Sequence, residues 1–437
     1  MNNFNKILIF FIVILTIPAF ALNSSSYLIA NTAIKYFDFE EAYSHYKFSK
    51  DDLSEFDLEN KLLTSIHLNL LAEANKTSKQ ILKINIYNNE AWIVHLAFAK
   101  LNNKMGIFDK FKKNKNNAEV DFINFIFFDQ NGNVKNNKNI ALSIFELVQA
   151  SMPDIVDKTR YNYILFYLSI ANLLDPDFDE GYFYSAQIYQ ILEKYNKAEK
   201  LYKKISVNHD LFVDSQKYIA INKYKLGFYE AGERHLLKYI NNFNNNNFFL
   251  AIADFYRFTK NYDDAINYYT KSIKSKQISS EQVWRIYYFR GICYERLSLW
   301  NLAEKDFLNS LEIKSDSPNV LNYLAYGWIE RNQNIDKALN MLKKAYKSYP
   351  ESYYILDSLA WAYFKKNNFQ KAAELMEEVI VLAPGEAISL DHLGDIYFAM
   401  KRKREAIYFW KQALDLAEPE DLIEDELIKK LKQNQSG

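Results

Sequence analysis

The fold is decided by residues 352–384, SYYILDSLAWAYFKKNNFQKAAELMEEVIVLAP, together with the stretch at 386–419, EAISLDHLGDIYFAMKRKREAIYFWKQALDLAEP. The small residue Ala360 of the first stretch recurs as Gly394 in the second, 34 positions later (394 − 360). A fixed period of this size predicts stacked copies of one supersecondary unit.

Each copy is predicted to be a helical hairpin. Two apolar runs of helical period, one from Leu356 and one from Ala372, flank the polar residues KKNN at 365–368. Pro384 ends the second run because proline cannot continue a helix. Ala360 and Ala372 are expected where the two helices cross, since small side chains let the backbones approach. One hairpin buries too little apolar surface to be stable alone, so neighbouring copies must stack.

The same spacing continues towards the N-terminus. The small position of the first helix is predicted at Ala186, Ile219, Ala253, Gly291, Ala325, Ala360 and Gly394. The alanine of the second helix is predicted at Ala198, Ala231, Ala265, Ala303, Ala338, Ala372 and Ala406. Ile219 is the misfit of the series and predicts a looser second unit. The step of 38 between Ala253 and Gly291 predicts a longer loop near Ser275 to Glu281.

Four regions are predicted along the chain: a signal peptide at 1–21, degenerate helical repeats with an irregular insert at 22–160, the regular repeats at 161–418, and a capping helix and tail at 419–437. Small residues twelve apart, Ala30 and Ala42, indicate a weak first repeat. Within the insert, the apolar run 122–128 precedes the turn signal Asn131-Gly132 and is interpreted as an irregular hairpin.

The first 21 residues predict export. Lys6 and the amino terminus supply positive charge, residues 7–17 are apolar, and Ala19-Phe20-Ala21 has the pattern of a cleavage site. Eleven apolar residues are fewer than the ~20 of a membrane-spanning helix. We therefore expect cleavage after Ala21 and a periplasmic location; the alternative is an uncleaved anchor formed by residues 7–22. No cysteine follows the apolar core, which argues against a bacterial lipoprotein anchor.

Composition excludes several classes of function. Lys plus Arg and Asp plus Glu both number 54, so no net field attracts the chain to nucleic acid or to an anionic membrane. Ten glycines and seven prolines disfavour sheet-and-turn folds and glycine-rich phosphate loops. The single cysteine, Cys293, excludes an internal disulfide and a cysteine-based metal site, and its spacing predicts a buried, inert thiol.

Catalytic and metal-binding patterns are absent from the sequence. The six histidines show no H-E-x-x-H spacing, and no G-x-S-x-G motif occurs. Residues 129–133, DQNGN, resemble a calcium loop, but Gly132 is misplaced and Ile140 stands where a bidentate glutamate belongs. His392 beside Asp391 is assigned a surface or packing role. No catalytic residue, metal or cofactor is predicted.

The repeats resemble the tetratricopeptide family, whose motif has a small residue and an aromatic on the first helix, then alanine, an aromatic and alanine on the second. Three sets of residues match it well: Ala186-Tyr189-Tyr195-Ala198-Tyr202, Gly291-Tyr294-Trp300-Ala303-Phe307 and Gly394-Tyr397-Ala406-Trp410-Ala413. The resemblance covers 178–418 and, more weakly, 24–100. It implies a right-handed superhelical α-solenoid that binds proteins or peptides and is not an enzyme.

The run from YYFRGICYERLSLW at 287–300 to DHLGDIYF at 391–398 is also similar to exported tetratricopeptide proteins of Gram-negative bacteria. Some of those are outer-membrane lipoproteins that act as adaptors for periplasmic proteases. This chain lacks their lipid-bearing cysteine, so membrane anchoring does not carry over.

In the family, the first helices line a concave groove. Transferring that pattern predicts partner binding by Arg285, Tyr288, Glu295, Arg296, Tyr326, Glu330, Tyr354, Asp357, Trp361, Phe364, Lys365, Asp391 and Asp395. Aromatic residues and arginine are what binding hot spots favour. The alternative is that Trp361 and Phe364 pack adjacent repeats together. The carboxylate-clamp variant of the family needs Lys and Asn at groove positions where this chain has Asp357 and Asp391, so capture of a free carboxyl terminus is not expected.

The resulting hypothesis is a non-catalytic scaffold or adaptor of the bacterial envelope that binds a partner protein or peptide in its groove. Two alternatives are a structural subunit of an envelope assembly, held through the convex face, and an adaptor that delivers substrates to a periplasmic protease. A third is a hydrolase domain hidden in residues 101–160, which predicts an ordered pocket with convergent polar groups.

Overall fold

The computed structural model describes residues 19–47, 53–113, 121–151, 158–243, 247–275, 280–419 and 421–434. Their regular secondary structure is α-helix, with one short 3-10 helix at Lys158–Arg160 and one isolated β-bridge between Phe128 and Val134. The predicted all-α fold is confirmed. No helix in this part of the chain is both long enough and apolar enough to cross a membrane.

The chain divides into two compact units, Met1–Gly232 and Glu233–Gly437. The helices that begin in the first unit are α1 (Ala19–Lys35), α2 (Phe39–Lys47), α3 (Glu55–His67), α4 (Leu71–Ile84), α5 (Asn89–Leu101), α6 (Gly106–Lys113), α7 (Asp121–Phe127), α8 (Asn137–Ser151), α9 (Tyr161–Leu174), α10 (Asp179–Ile191), α11 (Tyr195–Tyr202), α12 (Phe212–Lys225) and α13 (Tyr229–Phe243). The second unit continues with α14 (Asn247–Phe258), α15 (Tyr262–Lys274), α16 (Ser280–Arg296), α17 (Trp300–Ile313), α18 (Pro318–Glu330), α19 (Ile335–Ser348), α20 (Tyr353–Lys365), α21 (Phe369–Leu382), α22 (Ala387–Ala399), α23 (Lys403–Leu416) and α24 (Glu424–Asn434).

The first unit has its own hydrophobic core. Ala30 on α1 and Ala42 on α2, the two small residues of the weak first repeat, are fully buried in it. The apolar run 122–128 lies mostly in helix α7 and ends at the bridge between Phe128 and Val134. The prediction of an irregular hairpin is therefore wrong for the run itself, which is helical, and the turn lies between the two bridged residues, at 129–133.

The second unit is a row of helical hairpins. Its first and second helices pair as α14 with α15, α16 with α17, α18 with α19, α20 with α21, and α22 with α23. Ala325, Ala360 and Ala372 are fully buried at the crossings, as predicted. Helix α24 closes the row, with Leu427 and Leu431 buried against α23.

A residue with positive φ marks the turn of each of seven hairpins, and it follows the small position of the first helix by seven residues. These turn residues are Glu193, Gly227, Lys260, Ser298, Asn332, Asn367 and Lys401. In the left-handed conformation the next amide turns back onto the helix end; the Asn368 N–H, for example, donates to the Tyr363 carbonyl at 2.9 Å.

The turn residue of the second hairpin, Gly227, shows that the predicted position of its small residue is wrong. Seven residues before Gly227 lies Ala220, which is fully buried, so the small position is Ala220 and not Ile219. On the second helix the buried small residue is Gly232, whereas Ala231 is half-buried. The prediction is wrong by one residue here because Ala-Gly at 231–232 offers two adjacent small side chains. The unit is not a misfit; it follows the general pattern.

The longer step before Gly291 coincides with a longer first helix. Helix α15 ends at Lys274 and α16 begins at Ser280, so Glu281 is helical and α16 is extended at its N-terminus to 17 residues. Residues 276–279 lie outside the described residues. So do residues 1–18, and with them most of the predicted signal peptide; α1 begins at Ala19. Export and the limits at 160 and 418 stay predictions.

Candidate interaction cleft

An open cleft of about 610 Å³ lies on the first helices of the second unit. Its lining comes from α16, α18, α20 and α22 or from the residues that cap them. The lining residues are Tyr288, Glu295, Arg296, Asn319, Asn322, Tyr323, Tyr326, Gly327, Glu330, Arg331, Tyr353, Tyr354, Asp357, Ser358, Glu386, Ile388, Ser389 and His392. Five of these are tyrosines, which combine a large apolar surface with a polar tip.

The structure brings together more than half of the residues predicted to bind a partner. Those that line the cleft are Tyr288, Glu295, Arg296, Tyr326, Glu330, Tyr354 and Asp357. Arg285 is exposed on α16 but is not part of the lining. A binding role for the seven cleft residues stays a prediction.

Trp361 and Phe364 lie beneath this surface, in contacts between repeats. The Trp361 ring is 6% exposed and stacks on Phe364 at 4.5 Å and on His392 at 4.0 Å between ring centroids. Its Nε1 donates to Glu330 Oε1 at 2.6 Å. The Lys365 ammonium lies 4.9 Å from the same ring. Trp361 thus connects α18, α20 and α22, as the packing alternative holds.

Asp391 and Asp395 face the C-terminal helix. Lys430 on α24 donates to Asp391 Oδ1 at 2.7 Å and to Asp395 Oδ2 at 2.9 Å. Burial and the nearby Asp395 raise the pKa of Asp391, although Lys430 opposes the shift. A partner that used these two carboxylates would have to displace Lys430.

A buried polar cluster forms the end of the cleft nearest α22. Asp357 accepts hydrogen bonds from Ser389 Oγ on Oδ2 at 2.6 Å and from His392 Nδ1 on Oδ1 at 3.0 Å. Burial alone would lower the pKa of His392, but the carboxylate of Asp357, together with those of Asp391 and Glu330, outweighs burial and raises the pKa. The two hydrogen bonds fix the orientation of the imidazole ring and connect α20 to α22.

Negative charge dominates the middle of the cleft. Burial, followed by the carboxylates of Glu330, Asp357 and Glu295, raises the pKa of the Tyr326 hydroxyl. Two arginines line the cleft, and both are engaged: Arg331 stacks over Trp300 at 4.2 Å, and Arg296 lies 3.7 Å from Glu295.

Asn322 lines the cleft but is not among the residues predicted from the sequence, although it shares their position in the repeat. Asn322 precedes Ala325 by three residues, as Tyr288 precedes Gly291 and Asp357 precedes Ala360. Those two counterparts were selected and Asn322 was not. His392 was assigned a packing or surface role; it packs on Trp361 and also lines the cleft.

Elsewhere, the polar motifs have local roles. Asp129 accepts hydrogen bonds from the backbone amides of Asn131 and Asn133, which stabilises a turn. Burial raises the pKa of the Cys293 thiol to about 12, so it stays protonated. Within the described residues no group of three or more His, Cys, Asp or Glu side chains is arranged to hold a metal ion.

A pocket of about 360 Å³ lies between the region proposed to hide a hydrolase and the helix that follows it, α9. Its walls are largely apolar and include Phe122, Ile144 and Val148. Ser151 is its one residue of nucleophile type besides tyrosine, and its hydroxyl donates to the Leu147 carbonyl at 2.9 Å. The lining includes no histidine or carboxylate that could act as a base for this serine.

Comparison with known proteins identifies the repeats of the second unit. Two family models described as tetratricopeptide repeat match residues 247–278 and 330–387, which contain hairpins of the second unit. The chain contains tetratricopeptide repeats. This repeat fold supports a role as a protein–protein interaction scaffold.

The tetratricopeptide repeats also have relatives at the level of sequence and structure. The human and mouse proteins called tetratricopeptide repeat protein 8 are 32% and 33% identical to this chain over 90 residues, which is 21% of its length. The match spans about a sixth of those relatives, 16% and 17%. A chain in the APC/C hetero-tetramer Cut9-Hcn1 aligns with 94% of this chain and 83% of its own length, at 14% identity and a TM-score of 0.47.

Proposed function

We propose that this chain is a non-catalytic scaffold whose second unit binds an extended segment of a partner protein in the cleft. The observation that carries the proposal is the continuity of the cleft over four consecutive first helices. Packed helices lie about 10 Å apart. Four of them therefore present a surface roughly 30 Å long, which an extended segment of about nine residues would cover.

The side chains of the cleft support such a role. Tyr354 and Ile388 are each 39% exposed within it, which leaves aromatic and aliphatic surface for a partner. Polar groups lie between them, among them Asn319, which accepts a hydrogen bond from the Tyr354 hydroxyl at 2.9 Å. Apolar anchors separated by fixed polar groups are typical of protein-binding surfaces.

We further propose that the protein acts in the bacterial envelope. The support is the sequence pattern of residues 1–21, with its positive start, apolar core and Ala19-Phe20-Ala21 site. An exported scaffold of this kind would assemble or deliver other envelope proteins, and delivery to a protease is one form of that role.

Capture of partners from envelope extracts tests the cleft. The variant pairs Tyr354→Ala with Ile388→Ala, and the matched control pairs Tyr408→Ala with Val381→Ala, which are 56% and 82% exposed on second helices. Both variants remove one tyrosine and one aliphatic side chain. We expect the first to lose partners that wild type and control retain. Loss in the control alone would assign binding to the opposite face and favour a structural subunit held there. Equal partner sets in all three proteins would refute the cleft as the binding surface.

A further inference from the structure

Asn322 lines the cleft, and its side-chain carbonyl oxygen has no hydrogen-bond donor among the described residues. The side chain is 6% exposed and lines the cleft from α18. Its Oδ1 is buried and accepts no hydrogen bond from any described residue. An acceptor removed from water without a donor destabilises a protein. Such an acceptor in a native protein calls for an explanation, and a donor supplied by a bound partner is one.

The surroundings of Asn322 call for hydrogen-bond donors and positive charge. Glu330 lies about two helical turns further along the same helix, and its carboxylate is 40% exposed. Four carboxylates and two guanidiniums line the cleft. Arg331 already donates to the Gly327 carbonyl at 3.0 Å while it stacks on Trp300. His392 donates to Asp357. The cleft therefore has more hydrogen-bond acceptors and negative charges than its own donors and cations can pair.

We propose that the partner segment places an arginine or lysine side chain in the cleft, where it donates to Asn322 Oδ1 and is attracted by the excess of carboxylates that line the cleft. An ammonium or guanidinium group carries only donors, so it matches a surface of acceptors without adding new unsatisfied groups. The tyrosine rings of Tyr288, Tyr323 and Tyr326 add faces that attract a cation. The inference rests on the proposed function and specifies the chemistry of its partner.

Three labelled peptides test the inference on the full mature chain: acetyl-(Gly-Arg)4, acetyl-(Gly-Gln)4 and acetyl-(Gly-Glu)4, measured by fluorescence anisotropy at low and moderate salt. We expect the arginine peptide to bind at least tenfold more tightly than the glutamine peptide. Asn322→Leu should weaken arginine binding by about tenfold, the usual size of a lost hydrogen bond to a charged donor. Asn322→Asp should tighten it and steepen its salt dependence. Asn340→Leu, an exposed position on α19, is the matched control and should change nothing.

The stability of the free protein separates this role from a structural one. Because Asn322→Leu removes an unsatisfied buried acceptor, it should leave the thermal unfolding midpoint unchanged or raise it while binding falls. A midpoint lowered by many degrees would show that Asn322 supports the fold, and the inference would fail. If the leucine variant does not fold, the aspartate variant decides: weaker or unchanged arginine binding refutes the inference.

The outcomes also distinguish this inference from the proposed function. If all three peptides bind equally, and Tyr354→Ala with Ile388→Ala abolishes binding, the cleft is a binding surface without preference for a cation. If spermidine binds as tightly as the arginine peptide, the site recognises a cation alone and not a protein segment. If no peptide binds, the cationic partner is refuted, and partner capture still decides the proposed function.

Discussion

His392 Nδ1 lies 3.0 Å from Asp357 Oδ1, in a pair that connects two consecutive first helices across one repeat. Both residues are 7% exposed, and the imidazole ring also stacks on Trp361 at 4.0 Å. The contact holds α20 and α22 in register at the end of the cleft. Its geometry therefore couples the packing of the repeats to the shape of the proposed binding surface.

The pair makes stability depend on pH. Burial lowers the pKa of His392, but Asp357 first, then Asp391 and Glu330, raise it above the ordinary value. A group whose pKa is higher in the folded than in the unfolded protein contributes its full stabilisation below the pKa of the unfolded state, about 6.5 for histidine. This contribution is lost as the pH rises through the pKa of the folded state. Urea unfolding from pH 5.5 to 8.5 should show that decline, and His392→Gln should show less of it. Parallel curves for wild type and variant would contradict the prediction.

Trp361 should contribute to stability more than to recognition. Trp361→Ala removes a buried ring and both of its stacking contacts, so we expect a loss of about 3–5 kcal/mol in unfolding free energy. Trp361→Phe keeps an aromatic ring but loses the hydrogen bond to Glu330, and about 1–2 kcal/mol should be lost. Chemical denaturation measures both. If the alanine variant has nearly the unfolding free energy of wild type but no longer captures partners, Trp361 would be a binding residue after all.

Gly327 should not tolerate a side chain. A Cβ at this position would overlap the Trp300 ring, and Arg331 covers that ring at 4.2 Å, which limits its movement. Gly327→Ala should therefore destabilise the protein by about 1–3 kcal/mol despite the better helix propensity of alanine. Gly385→Ala is the control, because a Cβ there meets nothing within 4 Å. Equal unfolding midpoints for the two variants would show that Trp300 moves aside at no cost.

Lys430 should hold the terminal helix on the repeats. Lys430→Met leaves the largely buried carboxylates of Asp391 and Asp395 without their cation, and breaking such a group costs about 3–5 kcal/mol. Hydrogen exchange of amides in α24 should accelerate. Adding Asp391→Asn and Asp395→Asn to Lys430→Met should recover part of the protection. Unchanged exchange in the single variant would mean that Leu427 and Leu431 suffice to hold the helix.

The mature protein is expected to begin at Leu22. Signal peptidases cleave after small residues in the pattern of Ala19-Phe20-Ala21. Intact-mass spectrometry of protein purified from its native envelope fraction checks this start. A mass that includes Met1 would refute cleavage, and recovery in the membrane fraction would then support the anchor alternative.

Much of the fold was predictable because small residues recur where helices cross. Ala325, Ala360 and Ala372 are buried as their spacing predicts. The register failed only at Ile219 and Ala231, where a small residue, Ala220 or Gly232, follows directly and where the positive φ of Gly227 shows the true position. Backbone conformation at a single turn residue leaves little trace in a sequence, since Glu, Lys, Ser and Asn all occupy this turn.

The cleft was predictable only in part. The resemblance to the tetratricopeptide family implies which side of a first helix lines the groove, and it therefore led to Tyr288, Tyr326 and Asp357, which line the cleft. It did not show that Trp361 turns under its neighbours or that Asp395 bonds to Lys430. Those contacts join residues about 30 or more positions apart, so their pairing depends on rotamers and on the final stacking distance.

The amino-acid sequence by itself determined the repeat length, the helical hairpin and the side of each hairpin that is buried, because these follow from local periodicity and from the size of one side chain at each crossing. Tertiary structure decided which outward residues remain available. Asp357, Asp391 and Asn322 occupy the same position in successive repeats, yet one bonds to His392, one to Lys430, and Asn322 Oδ1 has no hydrogen-bond partner among the described residues. That difference arises from the neighbours that stacking brings within hydrogen-bonding distance.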